Sequence, residues 1–214
     1  EVGESIQNFT NRYIGPSQIH PMPMDTKGHP WTRGGAGAVV LAPLVSAARV
    51  ELAIETAAVL ASCGHNLPLT IVGDGPERGA LEQRAGRLGV SALVRFVGEL
   101  PPDQARGYLG RADLLLFTAQ GDGAGLAALE ALITGIPVVA CWDSGAAVDI
   151  VPESGAGRLT LPSAEALAES VLELQADGDR LAMGRLVGEA WRARLAPDNV
   201  AELCEGWYRD ALAR

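Results

Sequence analysis

Long apolar runs, basic clusters and paired cysteines are all missing from this chain, and each absence removes a class of function. No apolar stretch approaches the roughly 20 residues that span a bilayer, and the opening EVGESIQ is not a signal peptide. Lys and Arg number 17 against 26 Asp and Glu, a formal net charge of −9 with pI about 4.8, and no basic run interrupts this balance. Nucleic acid and anionic membrane surfaces are therefore not expected as partners. Cysteine is scarce: Cys63, Cys141 and Cys204 are odd in number, far apart and without a CxxC, which reads as buried thiols in a reducing cytoplasm. His20, His29 and His65 lack the spacing of metal ligands, so no metal site is expected. The first residue is not Met, which suggests an excised piece.

What is present is a chain of 214 residues, 48% hydrophobic, enough for one large or two modest domains. Residues 1–35 stand apart. Ser5 to Tyr13 has the pattern of a short helix, and the following IGPSQIHPMPMDTKGHPWTRGGAG carries too much Pro and Gly for regular structure, so it reads as a linker or the tail of a missing domain. From Ala36 the pattern becomes regular. Strands are expected at Gly37–Leu41, Leu67–Val72, Leu93–Val97, Asp113–Phe117, Ile136–Cys141 and Gly157–Leu161. Helices are expected at Ala47–Cys63, Glu77–Leu88, Asp103–Gly110, Leu126–Thr134 and Ala164–Ala176, the last capped by Ser163. Ala147–Val151 reads as a short helical turn, and two helices, about 178–194 and 198–213, end the chain. Strands alternating with helices predict an α/β fold: a Rossmann-like, doubly wound parallel sheet with C-terminal helices. Three parts follow: 1–35 as linker, 36–195 as the sheet domain, and 196–214 as a terminal helix.

Ligands of such sheets bind at the carboxyl ends of the strands. The unusual loops, Ala42–Arg49, Gly73–Pro76, Gly98–Pro102 and Gln120–Gly125, all fall there, and Trp142-Asp143-Ser144-Gly145 joins the same rim. The richest stretch is TAQGDGAGLAALEALITGIPV, residues 118 to 138: a buried strand leads into a glycine loop and then a helix. That geometry suits phosphate, because free backbone N–H groups point outward with the helix dipole behind them. Within the helix, Leu126, Leu129 and Ile133 mark an expected buried stripe, and Glu130 lies on it. A carboxylate there needs a partner: a nearby Arg or amide, or a ligand hydroxyl. Trp191, Trp207 and Tyr208 read as packing residues.

With these motifs assembled, residues 19 to 213 resemble the C-terminal, donor-binding domain of GT-B fold retaining glycosyltransferases in glycosyltransferase family four. IVGDGPERGALEQRAGRLG followed by VRFVGELP is similar to that family's second strand, helix and third strand. Asp122-Gly123-Ala124-Gly125-Leu126 with Glu130 and Ala131 stands where the family has its E-x7-E motif. PMPMDT, ADLLLFTAQ, TGIPVVA and the helix from Asn199 to Tyr208 fall in the matching order. The resemblance implies a nucleotide diphosphate sugar as substrate, with no cofactor and no metal. It implies that Glu130 accepts the ribose hydroxyls and that the amides from Gly123 through Ala124 and Gly125 to Leu126 hold the distal phosphate and sugar. Asp122 would contact sugar hydroxyls near the anomeric carbon, as the catalytic residue, and the backbone at Leu100 would read the base.

Two diphosphate cations of the family, an Arg and a Lys, are replaced here by Pro43 and Ala48, with Arg49 as the neighbouring candidate contact. Such charge-assisted contacts to a leaving diphosphate are large catalytic terms. The resemblance also implies an N-terminal partner domain, without which these residues are expected to be inactive. A second reading is a degenerate, non-catalytic GT-B module acting as adaptor or homo-oligomer partner through its final helix. A nucleotide-sugar epimerase of the same fold fits the spacing less well.

Overall fold

The computed structural model describes residues 23–25, 35–122, 124–155, 157–176 and 180–212. The expected short helix at Ser5–Tyr13 lies outside them. Six strands, β1 (Ala38–Leu41), β2 (Leu69–Val72), β3 (Val94–Gly98), β4 (Leu114–Phe117), β5 (Val138–Cys141) and β6 (Gly157–Thr160), form one sheet in the order β3-β2-β1-β4-β5-β6. Every pairing between these strands is parallel. The order runs outward in both directions from β1 and β4, so the crevice between those two is the topological switch point.

The strands are short apolar runs because both faces are covered. Alternate residues supply two separate cores. Val40, Leu114, Leu116, Val139 and Cys141 pack on one face with α1 (Val50–Ser62), α2 (Arg78–Arg87) and α6 (Ala164–Ala176). Val39, Leu115, Phe117, Val138 and Ala140 pack on the other with α3 (Pro102–Leu109), α4 (Leu126–Thr134), α5 (Ala147–Ser154) and α7 (Arg180–Leu195). A final helix, α8 (Pro197–Leu212), runs from the end of α7, and Leu203, Tyr208 and Leu212 on it are exposed. Trp191, by contrast, is buried, with the Arg194 guanidinium stacked 4.9 Å from its ring centre. The Met24 amide donates to the Leu195 carbonyl, which brings the segment just before residue 26 against the end of α7. Among the described residues no helix is long and apolar enough to cross a membrane.

Helices α4 and α6 have the bounds expected from sequence, and the Ser163 hydroxyl accepts from the Ala166 amide as a cap should. Elsewhere the structure corrects the reading. The long helix expected over Ala47–Cys63 is broken: a single 3-10 turn at Ser46–Ala48 is followed by Arg49 at φ 46°, and α1 starts only at Val50. The turn expected at Ala147–Val151 extends to Ser154, through Pro152, whose missing N–H costs one bond close to the helix end. Nor is Leu126 part of a buried stripe, being 44% exposed. Helix α4 is enclosed along the rest of its length, with Ala128, Leu129, Ala131, Leu132, Ile133 and Thr134 all buried between sheet and α7. In its first turn Leu126 is exposed, and Glu130, one turn on along the same face, is half-buried.

Candidate functional site

At the carboxyl ends of β1 and β4 lies a crevice of about 190 Å³. Pro43, Ala48, Thr118, Gln120 and Asp122 are among its walls. A larger hollow of about 540 Å³, bordered by Pro68, Leu93, Arg95 and Tyr108, opens at the amino ends of the strands, the wrong end for the ligand of a doubly wound sheet.

The loop that follows β4 is folded onto its own side chain. One Asp122 carboxylate oxygen accepts from the amides of Ala124 and Gly125, 3.1 Å each. Asp122 therefore closes a side-chain turn just ahead of α4, beside a helix start whose dipole favours negative charge. Gly123 lies outside the described residues. Gly125 adopts φ 59° and Gly121 φ 64°, turning the chain from strand to helix within a few residues. Glu130 sits one turn inside α4 on the face of Leu126, where its carbonyl accepts from the Thr134 hydroxyl at 2.7 Å. Leu100, after β3, is half-buried against the second core. The structure thus brings Asp122, Ala124, Gly125, Leu126 and Glu130 together at one helix start.

Arg49 is placed differently from a free diphosphate contact. Its Nε donates to the Thr118 carbonyl at 2.8 Å, while Nη1 and Nη2 reach the two carboxylate oxygens of Asp143 at 2.8 and 2.6 Å. The Thr118 hydroxyl in turn donates to the Ala48 carbonyl at 2.8 Å. Backbone bonds run alongside: Gln120 N–H to the Ala47 carbonyl, Gly121 N–H to that of Asp143, and Ala146 N–H to that of Asp122. Three loops of the rim are tied into one body by these contacts. Asp143 belongs to the rim segment noted in the sequence, but its pairing with Arg49 was not foreseen, because the partners lie 94 residues apart. The one local signal was a charged residue interrupting the apolar register at the start of α1.

The clamp leans on the end of β5. Burial pushes the Cys141 thiol up to about 11, against the opposing pull of the Arg49 charge, so it stays neutral and is no nucleophile. The GDGP turn has a structural task. A Cβ on Gly73 would stand 1.9 Å from the Ala42 carbonyl oxygen and one on Gly75 2.5 Å from that of Leu44. These glycines let the turn press directly on the loop after β1. The Gly75 amide, then Arg78, holds the Asp74 carboxyl below the usual range. Among the described residues no group of three or more acidic, His or Cys side chains could hold a metal ion.

The sequence profile of the family described as Glycosyl transferases group 1 matches residues 31–185. The chain belongs to that family. A 2-deoxystreptamine glucosyltransferase from Streptomyces kanamyceticus is 30% identical over 142 residues, 66% of this chain and 36% of the relative. A D-inositol 3-phosphate glycosyltransferase from Corynebacterium jeikeium is 36% identical over 116 residues, covering 51% of this chain and 26% of the relative. The chain therefore spans about a third of the curated relatives it matches. Among solved structures, Anabaena HepE in complex with UDP and glucose superposes with a TM-score of 0.76 at 20% identity, over 99% of this chain and 62% of that one. The C-terminal domain of a group 1 glycosyl transferase (LpcC) from Francisella tularensis gives 0.66 at 20% identity, over 78% and 95%. The glycosyl transferase group 1 chain has the fold of a C-terminal GT-B half.

Proposed function

We propose that this chain is the donor half of a retaining glycosyltransferase, binding a nucleoside diphosphate sugar in the crevice between β1 and β4. The observation that carries this reading is the glycine loop at the start of α4, set at the switch point, with Glu130 one turn inside on the face of Leu126. In this reading the α4 amides and dipole take the distal phosphate, and Glu130 accepts the ribose hydroxyls. The Leu100 backbone reads the base, while Asp122 moves from the loop amides to the sugar. No metal takes part; diphosphate charge is offset by the helix start. Support comes from the names of relatives, which transfer glucose or mannose, and from the UDP-bound structural neighbours.

The acceptor is held by an N-terminal domain, and this chain alone is inactive in transfer. Unpaired Cys63, Cys141 and Cys204 fit a cytoplasmic setting. Calorimetric titration of the chain with UDP, GDP, ADP and TDP, repeated on Glu130→Ala, tests the reading: one nucleotide binds, and the substitution abolishes it. A second reading, a non-catalytic module serving as adaptor or homo-oligomer partner, is favoured by Pro43 and Ala48 as crevice walls in place of cations. No nucleotide binding to the chain, alone or joined to its N-terminal domain, would select it.

A further inference from the structure

Among the described residues lining the crevice there is no Lys or Arg, and Asp122 adds a carboxylate to its wall. The chain has a single lysine, Lys27, which lies outside the described residues. Arg49 is a cation that the fold brings to the neighbouring loops, and it is engaged on two sides, by the Thr118 carbonyl and end-on by both oxygens of Asp143.

The placement is maintained at a cost. Arg49 is the sole non-glycine residue with positive φ among the described residues, a left-handed conformation that is sterically strained for a residue with a β-carbon. Its side chain is only 16% exposed, and that of Asp143 30%. A strained backbone is retained where the surroundings over-determine it, and here they do so through a fork-to-carboxylate pair. Asp143 itself lies beside the entry to the glycine loop: its carbonyl accepts from Gly121, and the next-but-one residue, Gly145, packs so tightly on Asp122 that a Cβ would stand 2.1 Å from the Asp122 carbonyl oxygen. Glycine loop and clamp are therefore one contiguous surface.

We propose that Asp143 is a positioning residue that masks Arg49, setting how strongly the donor crevice takes a diphosphate. The inference rests on the reading of the crevice as a nucleoside diphosphate site. Pairing leaves Arg49 and Asp143 neutral together, so Asp122 remains the charged side chain among the described residues lining the crevice. Asparagine at 143 still accepts from the guanidinium but removes one negative charge, leaving Arg49 in place with its charge exposed to the ligand. Loss of Arg49 alone leaves Asp143 as an uncompensated anion beside the same loop. The two single substitutions therefore move diphosphate affinity in opposite directions. A purely structural clamp would weaken binding in both.

Inorganic pyrophosphate is the probe, because it reports the charge of the rim whatever base or sugar the site prefers. It is titrated calorimetrically into the 214-residue chain and into Asp143→Asn, Arg49→Gly and the double variant, with thermal unfolding run on each to show that it folds. At low ionic strength Asp143→Asn binds about tenfold more tightly than the parent, Arg49→Gly binds more weakly, and the double variant returns toward the parent. The gain shrinks in ~0.5 M salt, as screening requires. Folded Asp143→Asn that binds pyrophosphate no better than the parent, including no binding by either, overturns the proposal. A parallel titration with the four nucleoside diphosphates keeps the two ideas apart: nucleotide binding without a gain in Asp143→Asn sinks the mask alone. A pyrophosphate gain with no selective nucleotide binding supports the mask and sinks the donor reading.

Discussion

Two loops meet at the carboxyl end of this sheet and solve the same problem by different means. The loop after β4 turns into its helix through glycines, with Gly121 and Gly125 in the left-handed region at little steric cost. Its counterpart after β1 makes the corresponding turn through Arg49, an arginine held left-handed by hydrogen bonds to Thr118 and Asp143. The first shape is written in local backbone preference. The second depends on partners that arrive from the other half of the sheet. A turn of the first kind is readable in a sequence; a turn of the second kind is not.

The largest test of this contrast is Gly145→Ala, which puts a methyl group into the Asp122 backbone at a residue with φ 62°. It should destabilise the chain by about 3 kcal/mol or more, read as the shift in a denaturant midpoint. An unshifted midpoint would mean that the two rim loops are not pressed together as described. The contrast sharpens at Arg49. Both Arg49→Ala and Arg49→Gly remove the clamp, but only glycine also removes the left-handed strain. Glycine should therefore be the more stable of the two by about 1 kcal/mol. Equal stability would place Arg49 in an unstrained conformation. The smallest effect lies at Cys141. Its pKa is raised from 9.0 to about 11 in the folded chain, so the folded state keeps its proton where the unfolded state has lost it. Its contribution is complete below pH 9 and is lost as pH rises toward 11, a decline that Cys141→Ala should flatten in unfolding curves measured across that range.

The legibility of the sequence divides along the same line. The bounds of α4 and α6 were readable because Gly135 ends the first in a left-handed cap and Ser163 opens the second. The doubly wound sheet followed from alternation alone. At the rim, the proximity of Asp122, Gly125 and Glu130 followed from a strand, a glycine loop and a helix in succession. What the sequence hid was non-local. Arg49 read as an interior residue of one long helix because helical periodicity carries no record of a partner after β5. Leu126 read as buried because its spacing to Leu129 and Ile133 is that of a core stripe, whereas the first turn of the helix leaves it exposed.

The seam between β1 and β4 also bears on how the chain folds. Pairings within each half, β1 with β2 or β4 with β5, join segments separated by one short crossover. The seam joins segments far apart, and at its foot the Asp113 carboxylate holds the amides of Gly35 and Gly37, the latter 76 residues away. Closing that loop forfeits more chain entropy than any other pairing in the sheet before its contacts repay it. The crevice proposed to hold the donor is thus also the join that the polypeptide finds hardest to make, so a ligand bound across it would steady the costliest contact in the molecule.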